Sequence, residues 1–213
     1  VRDRSGPDEI IAELRARRPP LLLVLSGPSG VGKDTVLEAM RRAHPEIFFT
    51  VTATTRPQRP GEIDHVHYIF LKAEEFALNL AQGEFLEHAE VYGYRYGVPK
   101  SQVRRALSRG QDVLIKVDVQ GAATIKELAP QGIFIFLAPP SMEELARRLR
   151  SRKTEDIDEL LRRVRTAERE MEAIDLFDYV VVNENDQVEK TVATIEAIMT
   201  AEHQRVHPRS VVL

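Results

Sequence analysis

An unbroken apolar run, Leu21-Leu22-Leu23-Val24-Leu25, opens directly into Ser26-Gly27-Pro28-Ser29-Gly30-Val31-Gly32-Lys33-Asp34-Thr35, and no other stretch limits the fold so tightly. The run predicts a short strand buried on both faces, as in parallel sheets. A helical pattern over 35–43 follows the glycines, so the order is strand, loop, helix. Gly27, Gly30 and Gly32 let the backbone curl with successive N–H groups turned inward, and the positive end of the helix dipole adds to them. The whole of Gly27, Pro28, Ser29, Gly30, Val31 and Gly32 then forms a cradle for phosphate oxygens, with Lys33 as a mobile cation for the outer phosphates. Gly27-x4-Gly32-Lys33, in this strand-to-helix setting, has the spacing of a P-loop.

One position departs from that motif. Asp34 stands where a P-loop carries the Ser or Thr whose hydroxyl ligates magnesium, and Thr35 comes one place later. A carboxylate beside a triphosphate either turns away or binds the metal, directly or through water. An acidic residue in a first helical turn also offsets the macrodipole, and the position alone leaves these roles open.

At 213 residues the chain is long enough for one sizeable core with appendages. A hydrophobic share of 43% and a charged share of 30% place it among soluble globular proteins rather than disordered or membrane chains. The net charge of −3 argues against a general grip on nucleic acid, so any anion site is a local basic cluster. Without cysteine there are no disulfides, thiol nucleophiles or thiolate metal sites, and the six histidines lack zinc-ligand spacing. No apolar run reaches membrane-spanning length and no signal-peptide core opens the chain, so cytoplasm and no membrane partner are expected.

Residues 1–20 read as an extension in which Ile10, Ile11 and Leu14 make a short amphipathic helix closed by Pro19-Pro20. Apolar residues 47–51 follow the P-loop helix, and 52–62 read as a loop from their proline and glycine content. On that loop Arg56 and Arg59 either fork around a small dianion or are plain surface charge. A strand over 65–71 carries the Tyr68 phenol, and a helix over 73–82 ends at Gly83.

If 84–91 is a strand, Phe85, Glu87, Ala89 and Val91 share one side. Glu87 then needs donors for a carboxylate on an apolar face, whether from a structural salt bridge or from a ligand. Residues 92–97 read as a turn and 99–109 as a helix opened by proline. Strand 113–117 brings Asp118 to its carboxyl end, on the rim the P-loop occupies.

A further strand spans 133–137, and Ser141-x-x-Glu144 is a capping box. Arginines crowd 147–169, most of them a solvated helical face, a few able to reach phosphate if the segment hinges. Residues 178–183 form the last strand, Val188, Val192, Ile195 and Ile198 stripe the last helix, and 206–213 read as a loose tail. Alternating buried strands and helices imply a right-handed, mostly parallel α/β sheet with helices on both faces. The stretch 52–99 interrupts it as an inserted lobe facing the P-loop rim.

Taken in order, Ser26-Gly27-Pro28-Ser29-Gly30-Val31-Gly32-Lys33, Thr54-Thr55-Arg56-Pro57-Gln58-Arg59-Pro60-Gly61-Glu62, Phe85-Leu86-Glu87, Tyr96-Gly97, Asp118-Val119-Gln120-Gly121-Ala122, Arg148-Leu149 with Arg152, and Asp178-Tyr179-Val180-Val181-Val182-Asn183 carry a resemblance. From Leu21 to about Met199 the chain is similar to the guanylate kinase family. The resemblance implies a P-loop NTPase-type core (21–51, 100–141, 165–205), a GMP-binding lobe (52–99), a helical lid (142–164), an N-terminal extension (1–20) and a tail (206–213). It implies transfer of the ATP γ-phosphoryl to GMP or dGMP in purine nucleotide metabolism, with Mg2+ accompanying ATP.

Residue by residue, the resemblance places ATP on Gly27 to Thr35 and near Asn183, with Asp34 touching the metal site. It assigns Lys33, Arg148, Arg152 and Arg163 to the transferring phosphoryl group. Arg56, Arg59, Tyr68 and Tyr96 take the GMP phosphate; Glu87 and Asp118 take guanine, with Thr52 where serine is usual. Guanine offers two donors, N1–H and the 2-amino group, which acceptor-only carboxylates match and an adenine edge does not.

Departures are Val98, where a hydroxyl usually helps hold guanine, Lys116 for an acid found in some members, and Lys153 where glycine often precedes Thr154. Two rivals stand beside this reading. A silent module of the same family, binding phosphopeptides, typically lacks the P-loop lysine and lid arginines kept here as Lys33, Arg148 and Arg152. A kinase of another monophosphate is disfavoured by the Glu87 and Asp118 pair.

Overall fold

The computed structural model describes residues 6–9, 11, 19–91, 93–150 and 157–213. Most of the expected N-terminal helix, together with Arg152, Lys153 and Thr154, lies outside them. Among the described residues the P-loop strand β1 (Leu22–Ser26) is central in a five-stranded sheet. Its companions are β2 (Phe48–Phe49), β7 (Val113–Lys116), β8 (Ile133–Ala138) and β9 (Tyr179–Val182), in the order β2-β7-β1-β8-β9. Every pairing in it is parallel.

Burial on both faces explains the continuous apolar strands. Side chains alternate along β1, so Leu23 and Leu25 enter one core while Leu22 and Val24 enter the other. The first core is covered by α1 (Lys33–Ala43) through Val36 and Met40 and by α7 (Val188–His203) through Val192 and Ile195. The second is covered by α3 (Lys100–Ser108) through Val103 and Ala106 and by α4 (Val119–Leu128) through Ala122 and Ile125. Truncating a wholly buried leucine such as Leu25 to alanine costs about 2–5 kcal/mol in cores of this kind.

A second, four-stranded sheet has the order β4-β3-β6-β5, from β3 (Ala53–Thr54), β4 (Ile69–Phe70), β5 (Phe85–Val91) and β6 (Tyr94–Pro99). Helix α2 (Ala73–Ala81) closes a small core there, with Phe76 stacked on Phe85 at 4.4 Å between ring centroids. Two expectations change here. The supposed turn at 92–97 is mostly strand: Gly93 alone takes the left-handed conformation (φ 75°), and Tyr94 to Pro99 pair antiparallel with β5. Strand β5 also breaks its alternation, because a β-bulge shifts register between Phe85 and His88. Phe85 and Leu86 point to opposite faces and are buried in different cores, and the bulge re-aims Glu87.

The chain crosses between the sheets twice, at 50–52 and 99–100. Buried Gln102 ties the crossings together: its Oε1 accepts from Val51 N–H (2.9 Å) and its Nε2 donates to Val51 O (2.7 Å). Nor is the end of the chain loose. Arg209 donates to Gly132 O (2.9 Å) and to Glu202 Oε2 (3.1 Å), and Val211 and Leu213 pack on the second core. Glu202 is itself buried, with Tyr179 Oη donating to its Oε1 at 2.7 Å. Among the described residues, no helix is long and apolar enough to cross a membrane.

Candidate active site

Three P-loop glycines hold positive φ, and what surrounds them shows why. A Cβ on Gly27 would stand 2.2 Å from Leu137 O, one on Gly30 2.6 Å from Leu149 Cδ2, and one on Gly32 2.5 Å from Asn183 Nδ2. The loop is thus pressed against β8, against α5 (Met142–Arg150) and against the loop after β9. Gly32 caps α1 without a side-chain cap, leaving that helix's first N–H groups to whatever enters the loop. Lys33 Nζ donates to Gly27 O (2.5 Å) and Pro28 O (3.2 Å). Burial pushes the Lys33 ammonium below its ordinary pKa; Glu170 opposes this most strongly, Lys116 adds to it, and Asp34 and Asp118 oppose it.

Asn183, Arg148 and Arg163 all touch this loop. Buried Asn183 donates from Nδ2 to Val31 O (2.8 Å) and accepts from Thr191 Oγ1 (3.0 Å), so its role in the fold is to clamp the loop. Arg148 donates to Val31 O, to Asn183 O (3.0 Å each) and to Asn185 Oδ1 (2.5 Å). Glu144 steadies it at 2.9 Å. Helix α5 keeps half of its expected capping box: Ser141 Oγ accepts from Glu144 N–H (3.1 Å), while the Glu144 carboxylate goes to Arg147 and Arg148. Arg163, on α6 (Ile157–Glu172), donates to Ser29 Oγ (3.2 Å).

One residue here escaped the sequence reading. Glu170 lies two turns beyond Arg163 on α6 and accepts from Ser29 N–H at 3.2 Å. Burial raises its pKa, and the Ser29 bond and Lys33 hold it down. Its place on the Arg163 face, with buried Ala167 between them, was the available signal.

On the second sheet the paired arginines are built into a structured loop. Buried Arg56 reaches Glu62 Oε1 (2.7 Å) and Pro57 O (2.6 Å), with its guanidinium 5.2 Å over the Tyr68 ring and 5.7 Å over that of Phe70. Glu62 also accepts from the Arg59 backbone N–H (2.8 Å), and the Arg59 side chain is exposed. Tyr96 stands edge-on to Tyr68 at 6.2 Å. Thr52, half-buried where β3 begins, uses its carbonyl to accept from Ile69 N–H (2.9 Å). Val98 differs from its assignment: it is wholly buried in the second core and presents no surface to a ligand.

Glu87 and Asp118 come together from different sheets. Asp118 caps α4, its Oδ1 accepting from Gly121 N–H at 2.7 Å. A Cβ on Gly121 would stand 3.2 Å from Asp118 Oδ1 and 3.3 Å from Glu87 Oε2, so both carboxylates converge over that glycine. Burial, with the Asp118 charge second, raises the Glu87 pKa to about 7. Asp118 is felt by Lys33 and by Glu170 as well, which puts the carboxylate pair on the P-loop side of the cleft. Asp34, finally, is bound by Lys116 Nζ at 2.5 Å.

This arrangement has known counterparts. The guanylate kinase family model matches residues 19–202. A guanylate kinase of Clostridium perfringens (strain SM101 / Type A) is 48% identical over 186 residues, covering 87% of this chain and 85% of the relative. Guanylate kinase 2, chloroplastic/mitochondrial, of Oryza sativa subsp. japonica is 47% identical over 193 residues, 90% of this chain and 68% of that one. The crystal structure of guanylate kinase from Anaplasma phagocytophilum superposes with a TM-score of 0.68 at 34% identity, covering 89% of each chain. A P-loop clamped by Asn183 and Arg148, a carboxylate pair over Gly121 and this extent of similarity together make the chain a member of the guanylate kinase family.

Proposed function

We infer that the protein moves the γ-phosphoryl group of ATP onto GMP or dGMP, giving ADP and GDP or dGDP. The observation that carries this is the convergence of Glu87 and Asp118 over Gly121, within the electrostatic reach of Lys33. Two acceptor-only groups suit the N1–H and 2-amino donors of guanine, and a base without that edge leaves a buried carboxylate facing a lone pair. Arg56, Tyr68 and Tyr96, with Arg59 from the same loop, suit the acceptor phosphate. The two-sheet geometry supports reading 52–99 as the acceptor lobe and 142–164 as the lid over the core.

Phosphoryl transfer needs alignment and charge neutralisation more than covalent help. The P-loop amides and the α1 dipole hold the donor phosphates, and Lys33 exchanges the Gly27 and Pro28 carbonyls for phosphate oxygens when they arrive. Arg148 and Arg163 already touch the loop at Val31 and Ser29, so their charges meet the transferring group without a long search. Arg152 joins them in this reading.

The donor set fits a metal ion brought in on the nucleotide. Among the described residues no group of three or more His, Asp or Glu gathers to cage an ion, and Asp34 is engaged by Lys116. Bound with ATP, Mg2+ would supply charge neutralisation on the phosphates. A cytoplasmic setting belongs to the same reading.

A coupled assay of ADP release with GMP, dGMP, AMP, UMP and dTMP tests it. Guanine acceptors are expected to exceed the others by at least about a hundredfold in kcat/KM, the scale of discrimination that unpaired buried polar groups impose. Equal rates across the panel would overturn the guanine assignment.

A further inference from the structure

Two unusual residues in this sequence meet in space. Asp34 puts a carboxylate in the P-loop position that normally carries a hydroxyl, immediately after Lys33; Lys116 ends β7, 82 residues later. The sheet brings them together. Strand β7 lies beside β1 with Lys116 level with Leu25, so the lysine emerges at the rim just where β1 gives way to the P-loop, and its Nζ reaches Asp34 Oδ1 at 2.5 Å.

The charges around the cradle show what the contact does. Lys33 contributes +1 and Asp34 −1, so without Lys116 the first turn of α1 carries no net charge toward an incoming triphosphate. With Lys116 paired to Asp34 the turn is again positive. The same contact leaves the uncapped N-terminus of α1 to the ligand, because the only carboxylate in its first turn is engaged elsewhere. Lys116 is also near enough to Lys33 for its charge to help lower the Lys33 pKa.

We propose that Lys116 is a positioning residue for the donor nucleotide: across the β1–β7 edge it neutralises Asp34 and holds that carboxylate off the phosphates. On this account Asp34 is not a direct ligand of magnesium, and the two departures from the P-loop pattern form one compensating unit. As a stabilising ion pair the contact is worth little, since Asp34 is three-quarters exposed; its value lies in what it removes from the nucleotide's path. The inference rests on the P-loop being the ATP site.

The test is a double-mutant cycle on the full chain with Lys116→Met, Asp34→Ser and the double variant, plus Lys116→Arg as the conservative control. ATP and ADP dissociation constants are measured by titration calorimetry in EDTA and again in Mg2+, beside KM and kcat for each substrate and a thermal melt. Lys116→Met is expected to weaken ATP binding about tenfold in both media, with an unchanged melt, and to raise KM for ATP more than it lowers kcat. Adding Asp34→Ser should recover most of that loss, and Lys116→Arg should show little of it.

Equal damage from Lys116→Met in the Asp34 and Asp34→Ser backgrounds would overturn the proposal, because the lysine would then touch the nucleotide directly. So would an Asp34→Ser enzyme that loses affinity only when Mg2+ is present, the mark of a metal ligand. A wild-type chain that bound neither ATP nor ADP would remove the ATP-site reading itself, a failure distinct from additivity in the cycle.

Discussion

Glu87 Oε2 and Asp118 Oδ1 lie 3.3 and 3.2 Å from the point where a Cβ on Gly121 would stand, although one carboxylate comes from the mixed four-stranded sheet and the other caps a helix on the parallel one. Burial is the larger effect and the like charge of Asp118 adds to it, which pushes the Glu87 pKa up to about 7. Guanine's donors require the ionised form. The pair proposed to read the base is therefore also a pH-sensitive pair.

GMP binding should weaken as pH falls. Below about 7, binding must first remove the Glu87 proton, so KM for GMP is expected to rise up to about tenfold per pH unit between 7 and 5, while KM for ATP stays nearly flat. Glu87→Gln should show a high KM for GMP and no such slope. For stability the sign is opposite: the native state binds more protons than the unfolded chain between 4.5 and about 7, so stability falls as pH rises through that window. The full effect is of order 3 kcal/mol, and Glu87→Gln should melt higher than wild type at pH 8 but not at pH 5.

Gly121 is expected to be intolerant for a reason other than backbone freedom. In Gly121→Ala the new methyl meets Val117 Cβ at 3.1 Å and both carboxylates just beyond. Alanine's better helix propensity, about 1 kcal/mol, offsets much of the strain in folding. Thermal stability should change little while KM for GMP rises several-fold, as steady-state kinetics with each substrate varied in turn will show.

Lys33→Met should separate catalysis from folding. Its ammonium donates to Gly27 O and Pro28 O, and burying it is unfavourable, so a near-isosteric apolar side chain leaves the fold intact. Turnover should drop by about a hundredfold or more, the usual size of a lost charge at a transferring phosphoryl group. Circular dichroism and kcat measured on the same sample check both halves.

Far from the cleft, Arg209→Ala should destabilise without touching chemistry. Glu202 is almost wholly buried and keeps Tyr179 and the more distant Arg205 (3.6 Å), but it loses a bond at 3.1 Å. A stability loss of about 2–3 kcal/mol in urea is expected, toward the low end for stripping a partner from a buried charge. The further change Glu202→Gln should return part of it, with kcat unaffected throughout.

The parallel core was legible from the sequence because its signals are local. An apolar run buried on both faces reads the same whatever lies beside it, and β1, β7, β8 and β9 all fall where such runs stand. Asp118 was legible too, since the carboxyl end of a strand in such a sheet has a known address. What escaped depends on distant partners. The bulge that re-aims Glu87 exists only in the pairing of β5 with β6, and strict alternation cannot reveal it.

Val98 shows the same limit within the motif: Tyr96 meets Tyr68, but two residues on, the side chain turns into the core. Glu170 needed the knowledge that α6 lies along the P-loop. The 206–213 segment, short and without periodicity, looks loose until Arg209 is seen to reach Gly132, Glu202 and Asp178.

Gln102 carries a last implication. Its amide both receives from and gives to one residue's backbone, that of Val51, much as the edge of one base fits another. Glutamate at that place has nothing to give, lysine nothing to receive, and methionine neither. The joint that sets Arg56 and Glu87 relative to Lys33 and Asp118 is thus specified by the two-way grammar of a single carboxamide.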